Sequence, residues 1–287
     1  MNLNIKKLFI LSAFLLLKHA GFSNDSTLLW KISGKDLKEP SYLYSTLHIL
    51  CNTDVAISNA TKEAISKTKN LFFEIDMSDQ AALTKEMMAN IAMKNGTTLN
   101  SLLSQANFDT ASAKFQKITG TPLSFFKTWK PMMVASMLYP AMISCSTSSI
   151  EKEITDIAKP YNLPIKWLET ISFQLSVFDE IPYEAQAKML YRTVTDFEKA
   201  KKDFQKLMAT YKTQKIETLV EETAADAEFG KYENILLTKR NENWIPQIEK
   251  AININSCFFA VGAAHLGGKN GVIQLLRNIG YSVTPVY

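Results

Sequence analysis

The chain has 287 residues, 46% hydrophobic and 21% charged. That is enough length and apolar content for a sizeable core, and it excludes a disordered or low-complexity protein. The formal charge of +4 owes much to the first residues. Lys6 and Lys7 precede the apolar run Leu8–Leu17, and Gly21 and Ser23 supply small residues. This is the architecture of an export signal over residues 1–23, with cleavage after Ser23. The run is shorter than the roughly 20 residues that span a bilayer as a helix. No cysteine follows it to carry a lipid anchor. Beyond residue 23, 29 basic residues face 28 acidic ones, so no basic field points to nucleic acid. The expectation is a protein of the periplasm, cell envelope or exterior, with no transmembrane helix in the mature chain. Cys51, Cys145 and Cys257 match no zinc or redox spacing. Any one pair could form a disulfide in an oxidising compartment, or all three could be small buried side chains.

The predicted elements begin with a strand at residues 28–34 that ends on Gly34, and a second over residues 41–50 after Pro40. Their closeness suggests a hairpin. Residues 56–68 have helical spacing, with Ile57, Ala60, Ala64 and Ile65 on one face. The strand Leu71–Asp76 follows, and together these make a βαβ unit with a parallel pair. The middle of the chain, about residues 80–250, reads as helical. Helices are predicted over 81–93, 108–118, 122–142, 150–159, 183–211 and 233–251, interrupted by a short strand near 163–168. The pattern of the first part returns in a buried strand at 256–262, a glycine turn at Gly267–Gly268, a helix at 272–278 ended by Gly280, and a last strand at 281–286. The fold class is therefore α/β, one domain with a mixed central sheet formed from both chain ends and a large helical insertion.

Only two histidines lie beyond residue 23. His48 stands near the end of one predicted strand and His265 just past the end of another, 217 residues later. Open α/β sheets bind ligands beyond the carboxyl ends of their strands, so the two can meet. Glu74 occupies a comparable place inside Leu71–Asp76, where an unpaired carboxylate would be costly. Two imidazoles and a carboxylate are a recurring ligand set for Zn, Mn or Fe with positions open to water. The same groups could act without metal, one histidine serving as general base and Glu74 orienting it. They could also be three hydrogen-bonded strand-end residues with no chemistry, since no local repeat such as H-E-x-x-H is present.

Three segments, Tyr42–His48, Phe73–Asp76 and Val261–Val272, resemble the signature stretches of the TraB/GumN family. That family includes the Tiki metalloproteases and belongs to a wider group with erythromycin-esterase-like and ChaN-like proteins. Pro164–Thr170 resembles its L-E-T stretch, and Arg240-Asn241 its R-N pair. The resemblance implies a hydrolase, with the Tiki members suggesting a peptidase, acting on a peptide or small molecule. It further implies His48, Glu74 and His265 as ligands of a divalent metal such as Zn, Mn or Co, with Glu74 also catalytic. Arg240 is then a catalytic partner for an oxyanion or a carboxylate, and Glu169 a residue that could close the site or cap the following helix. Two departures stand out. Ser45 replaces the glycine of the first G-x-x-H motif and would resist a positive φ or a close approach. Ile150-Glu151 follows Ser149 where the family shows a glycine and an aspartate. A metal-independent esterase-like hydrolase and a non-catalytic ligand- or haem-binding protein are the alternatives.

Overall fold

A computed structural model describes residues 26–226 and 228–287; the expected export signal lies outside the described residues. The strands are β1 (Leu29–Ser33), β2 (Ser41–Thr46), β3 (Leu50–Cys51), β4 (Asn70–Phe73), β5 (Thr147–Ser148), β6 (Ile165–Trp167), β7 (Cys257–Gly262) and β8 (Ser282–Val286). Six of them form one sheet in the order β6-β4-β7-β2-β1-β8. β6, β4, β7 and β2 run parallel, while β1 is antiparallel to β2 and β8. The fold is mixed α/β, and its sheet draws strands from both chain ends around a central helical region. The hairpin of β1 and β2 is present, with Leu29 opposite Tyr44. The βαβ unit differs from expectation in one respect. β2 and β4 are parallel but not neighbours, because β7 lies between them and pairs with both.

Both faces of the sheet are covered, which explains the near-continuous apolar strands. Along β7, Cys257, Phe259 and Val261 face a core with Leu43, Phe72, Trp244 and Ile248. Phe258 and Ala260 face the other side, with Tyr44, Phe73, Ile65 and Ile154. A third core joins the helical region around Phe108, Phe115, Leu123 and Leu190. Several predicted helices are broken there. The stretch 122–142 becomes a 3-10 turn at Leu123–Phe126 and helices Pro131–Ser136 and Tyr139–Met142. Pro131 and Pro140 fall in the first turns of those helices, where a missing N–H costs nothing. The stretch 183–211 divides at Asp196 into Tyr183–Thr195 and Phe197–Lys212. The predicted strand 41–50 also divides. Its last residues form β3, which pairs with β5 as a separate two-stranded ribbon. Cys51 and Cys145 form a disulfide across it, leaving Cys257 free and buried.

A buried ion pair ties separate segments of the helical region to one another. Lys130 is 2% exposed, and its ammonium donates to the carbonyls of Asn90 (2.8 Å) and Leu175 (2.9 Å). It also lies 3.0 Å from Asp179, which accepts from Tyr183 Oη at 2.6 Å and pairs with Lys94 at 3.0 Å. Burial raises the Asp179 pKa, but the bonds from Tyr183, Lys130 and Lys94 outweigh it and hold the carboxyl below its ordinary 3.8. Lys130→Met therefore removes about 3 kcal/mol of stability, because it leaves Asp179 short of a buried partner. Denaturant unfolding measures this. A depressed carboxylate stabilises above its unfolded pKa and loses that contribution as pH falls through the folded value. The difference between variant and wild type should thus be full above pH about 4 and narrow below it.

Candidate functional site

Four parallel strands deliver one polar residue each past their carboxyl ends. Glu169 follows β6, Glu74 follows β4, His265 follows β7 and His48 follows β2. The crevice beyond such strand ends is where this class of sheet places ligands. Gly262, the last residue of β7, marks the meeting point. A Cβ built there would stand 3.1 Å from Glu74 Oε1, 3.7 Å from His265 Cδ2 and 4.0 Å from His48 Nε2. The expected convergence of His48, Glu74 and His265 is thus present around a glycine whose missing side chain makes room for it.

Arg240 links most of these groups. It is 8% exposed on the helix Lys239–Ile252, which follows a π turn at Asn234–Thr238. Its Nε donates to Glu169 Oε1 (3.0 Å) and Oε2 (3.2 Å), and its Nη2 to Glu169 Oε2 (2.8 Å) and Glu74 Oε2 (2.9 Å). Its Nη1 donates to the Leu236 carbonyl (3.1 Å) and approaches His265 Nε2 at 3.1 Å. An arginine has no acceptor, so that histidine nitrogen must be the unprotonated one. His265 then carries its proton on Nδ1 and donates to Asn241 Oδ1 at 2.6 Å. Burial pushes the His265 pKa down to about 3, so the ring is neutral. All five Arg240 N–H groups are engaged within the protein. In this arrangement Arg240 is the partner of two carboxylates, Glu74 and Glu169.

Glu74 is 6% exposed. Besides Arg240, it accepts from the Gly262 N–H at 2.7 Å and from Gln174 Nε2 at 3.2 Å. Burial disfavours its charge, but the surrounding cations and the Gly262 N–H outweigh burial and hold its pKa well below the usual carboxylate range. Since His265 is neutral, Arg240 and His48 are the cations that matter. Glu169 does not cap the next helix; the Thr170 hydroxyl does, accepting from Phe173 N. Glu169 instead takes the Arg240 fork and the Trp244 indole N–H (2.9 Å).

His48 differs from the rest in being open. Its Nδ1 lies 2.6 Å from Glu151 Oε1, and Glu151 is only 3% exposed. Its Nε2 has no hydrogen-bond partner among the described residues and faces a cavity of about 310 Å³ lined by Phe73, Ile75, Met77, Gln174 and Ala260. Desolvation lowers the His48 pKa, but the Glu151 hydrogen bond and charge, with Glu74 adding, raise it to about 9.

As donor types, His48, Glu74 and His265 suit a divalent cation. As arranged, they do not fit one. The His265 Nε2 lone pair is taken by Arg240, both Glu74 oxygens accept hydrogen bonds, and a guanidinium already supplies the positive charge. No group of three or more His, Cys, Asp or Glu is disposed to hold a metal ion among the described residues.

Ser45 is not strained. It lies within β2 with no positive φ, and its carbonyl accepts from Tyr211 Oη at 2.8 Å. Its buried hydroxyl has no hydrogen-bond partner among the described residues. Residues missed in the sequence reading are Gln174 and Trp244. Trp244 lies four residues after Arg240, on the same helix face, and that spacing was the available clue. Gln174 lies on the helix that follows Glu169, and nothing local distinguishes it.

Residues 28–285 match the TraB/PrgY/gumN family. The chain belongs to that family. A similar curated protein is the "Metalloprotease TIKI2" of Danio rerio, 20% identical over 314 residues, covering 90% of this chain and 60% of that protein. The chain thus spans less than two thirds of this relative's length. No solved structure matches.

Arg240→Met strands two buried carboxylates without their cation. It should cost about 3–5 kcal/mol in denaturant unfolding, and Arg240→Lys should recover part of that, since a lysine keeps the charge and loses the fork.

Proposed function

We propose that this TraB/PrgY/gumN family member is a hydrolase that activates water at His48, on a peptide or ester substrate. The observation that carries the reading is the contrast within the site. Arg240, Glu74, Glu169 and His265 saturate one another, while His48 keeps one nitrogen on buried Glu151 and offers the other to a cavity. A ring held in that way is suited to proton transfer. Neutral His48 would take a proton from water through Nε2, and the adjoining Glu151 carboxylate would stabilise the imidazolium that forms. Glu74, kept ionised, would orient the water. The apolar wall of Phe73, Ile75, Met77 and Ala260 would seat the neighbouring part of the substrate. The Cys51–Cys145 disulfide supports action outside the cytoplasm. No described helix is long and apolar enough to cross a membrane.

A second reading is favoured by the name of the Danio rerio relative: the same hydrolysis made metal-dependent, with Zn, Mn or Co at His48, Glu74 and His265. It requires His265 Nε2 to part from Arg240.

The first reading makes three statements about turnover of p-nitrophenyl esters or labelled peptides. His48→Ala lowers it at least about 100-fold. Chelation leaves it unchanged. Because Glu151 and Glu74 raise the His48 pKa and Arg240 only partly opposes them, the basic form accumulates as pH rises. kcat/KM should therefore climb from pH 6, reach half its maximum near pH 9 and level off only above it. Loss of activity on chelation, restored by a divalent metal, would favour the second reading; retained activity in His48→Ala would remove both.

A further inference from the structure

His48 owes its orientation to groups outside the strand that carries it. β2 ends at Thr46, and β3 begins at Leu50; His48 stands in the link between them. Glu151 is the second residue of the helix Ile150–Ala158, whose N-cap Ser149 accepts from Lys152 N at 3.1 Å. The link and the helix are joined by the β3–β5 ribbon, with Leu50 opposite Ser148 and Cys51 opposite Thr147. One further bond extends it, from Asn52 N to the Ser146 carbonyl at 2.9 Å. The ribbon stands outside the main sheet, and a two-stranded piece of this size is marginal alone. The disulfide closes it with a Cα–Cα distance of 5.6 Å, across 94 residues of chain. A bridge of that span removes much of the freedom the two segments would otherwise have. It lies three residues after His48 and six before Glu151, so it bears on both members of the pair. Burial of Glu151 makes the arrangement exacting. A carboxylate 3% exposed needs its imidazole partner, and any parting of the two segments would leave it without one.

We propose that Glu151 is the positioning residue for His48, and that the Cys51–Cys145 bridge clamps the two segments carrying the pair, so that His48 is correctly held only in the oxidised chain. The proposal rests on the reading of His48 as the water-activating residue. Glu151 acts through His48. It also explains the family departure at this position: glutamate in place of aspartate still reaches the histidine at hydrogen-bond distance.

The test uses the full chain and p-nitrophenyl acetate as probe, with four proteins: wild type, Glu151→Gln, Glu151→Asp and the double variant Cys51→Ser/Cys145→Ser. Wild type is also assayed after dithiothreitol, whose two thiols become a cyclic disulfide as Cys51 and Cys145 become thiols. Thermal unfolding confirms that each protein is folded at the assay temperature. The expected result is a tenfold or greater fall in kcat with little change in KM for Glu151→Gln, the double variant and reduced wild type. Glu151→Asp should restore part of kcat, and dithiothreitol should have no effect on the double variant. Unchanged kcat in folded Glu151→Gln or in reduced wild type overturns the proposal, even while loss of activity in His48→Ala leaves the hydrolase reading standing. If wild type turns over no probe, amide hydrogen exchange decides for the clamp. Faster exchange in residues 47–52 and 146–152 on reduction, together with sharper His48 ring resonances in both reduced wild type and Glu151→Gln, supports it. Unaltered exchange and ring signals overturn it.

Discussion

A buried guanidinium must find an acceptor for each of its five N–H groups, and the arrangement of this protein follows from how Arg240 finds them. The acceptors come from three different strand ends and from the π turn that leads into its helix: Glu74 after β4, Glu169 after β6, His265 after β7 and the Leu236 carbonyl. One side chain thereby fixes the helix Lys239–Ile252 against the sheet and sets the spacing of the crevice. Trp244, fully buried on that helix, donates to Glu169 and packs its ring 4.4 Å from that of His265. The packing of the core and the geometry of the polar cluster are thus one constraint. A charge network of this kind is costly to break and contributes less to net stability than its bond count suggests. Its effect is to hold Glu74 ionised and His265 neutral in fixed places.

That division shapes the chemistry. Groups saturated by one another can orient and polarise but have little left to offer a substrate. His48 is outside the saturated set, attached to it through the neighbourhood of Glu74 and Gly262, and held from behind by Glu151. Among the described site residues the crevice therefore has a rigid floor and one open imidazole, the group proposed to transfer the proton. The disulfide ribbon serves that open group, whereas Arg240 serves the floor, so the two supports can be loosened separately.

Much of this was legible in the sequence. Strand-end histidines, a glutamate inside an apolar strand and glycines at the turns are local patterns with a physical cause, and they located His48, Glu74, His265 and the mixed sheet. The resemblance added Arg240 and Glu169. What escaped depends on contacts across long separations. β7 enters between β2 and β4 although it comes from the other end of the chain, and no local periodicity reports which strands are neighbours. The Cys51–Cys145 pairing was one of three possibilities and needed the ribbon that joins the two segments. The expected three-ligand metal set rested on residue types, which were right for it. Residue types do not report the direction of a lone pair, and here His265 Nε2 faces Arg240. A φ-based concern over Ser45 also fell away, since a strand interior asks for no positive φ.

The central claim is that Arg240 fixes His265 as a neutral ring with its proton on Nδ1. Nitrogen-15 NMR of the histidine side chains, recorded from pH 5 to 8 with and without a divalent metal, measures this directly. The account predicts that His265 shows a protonated Nδ1 and an unprotonated Nε2 throughout, unchanged by metal. A proton on Nε2, or an Nε2 resonance that moves when metal is added, would contradict it.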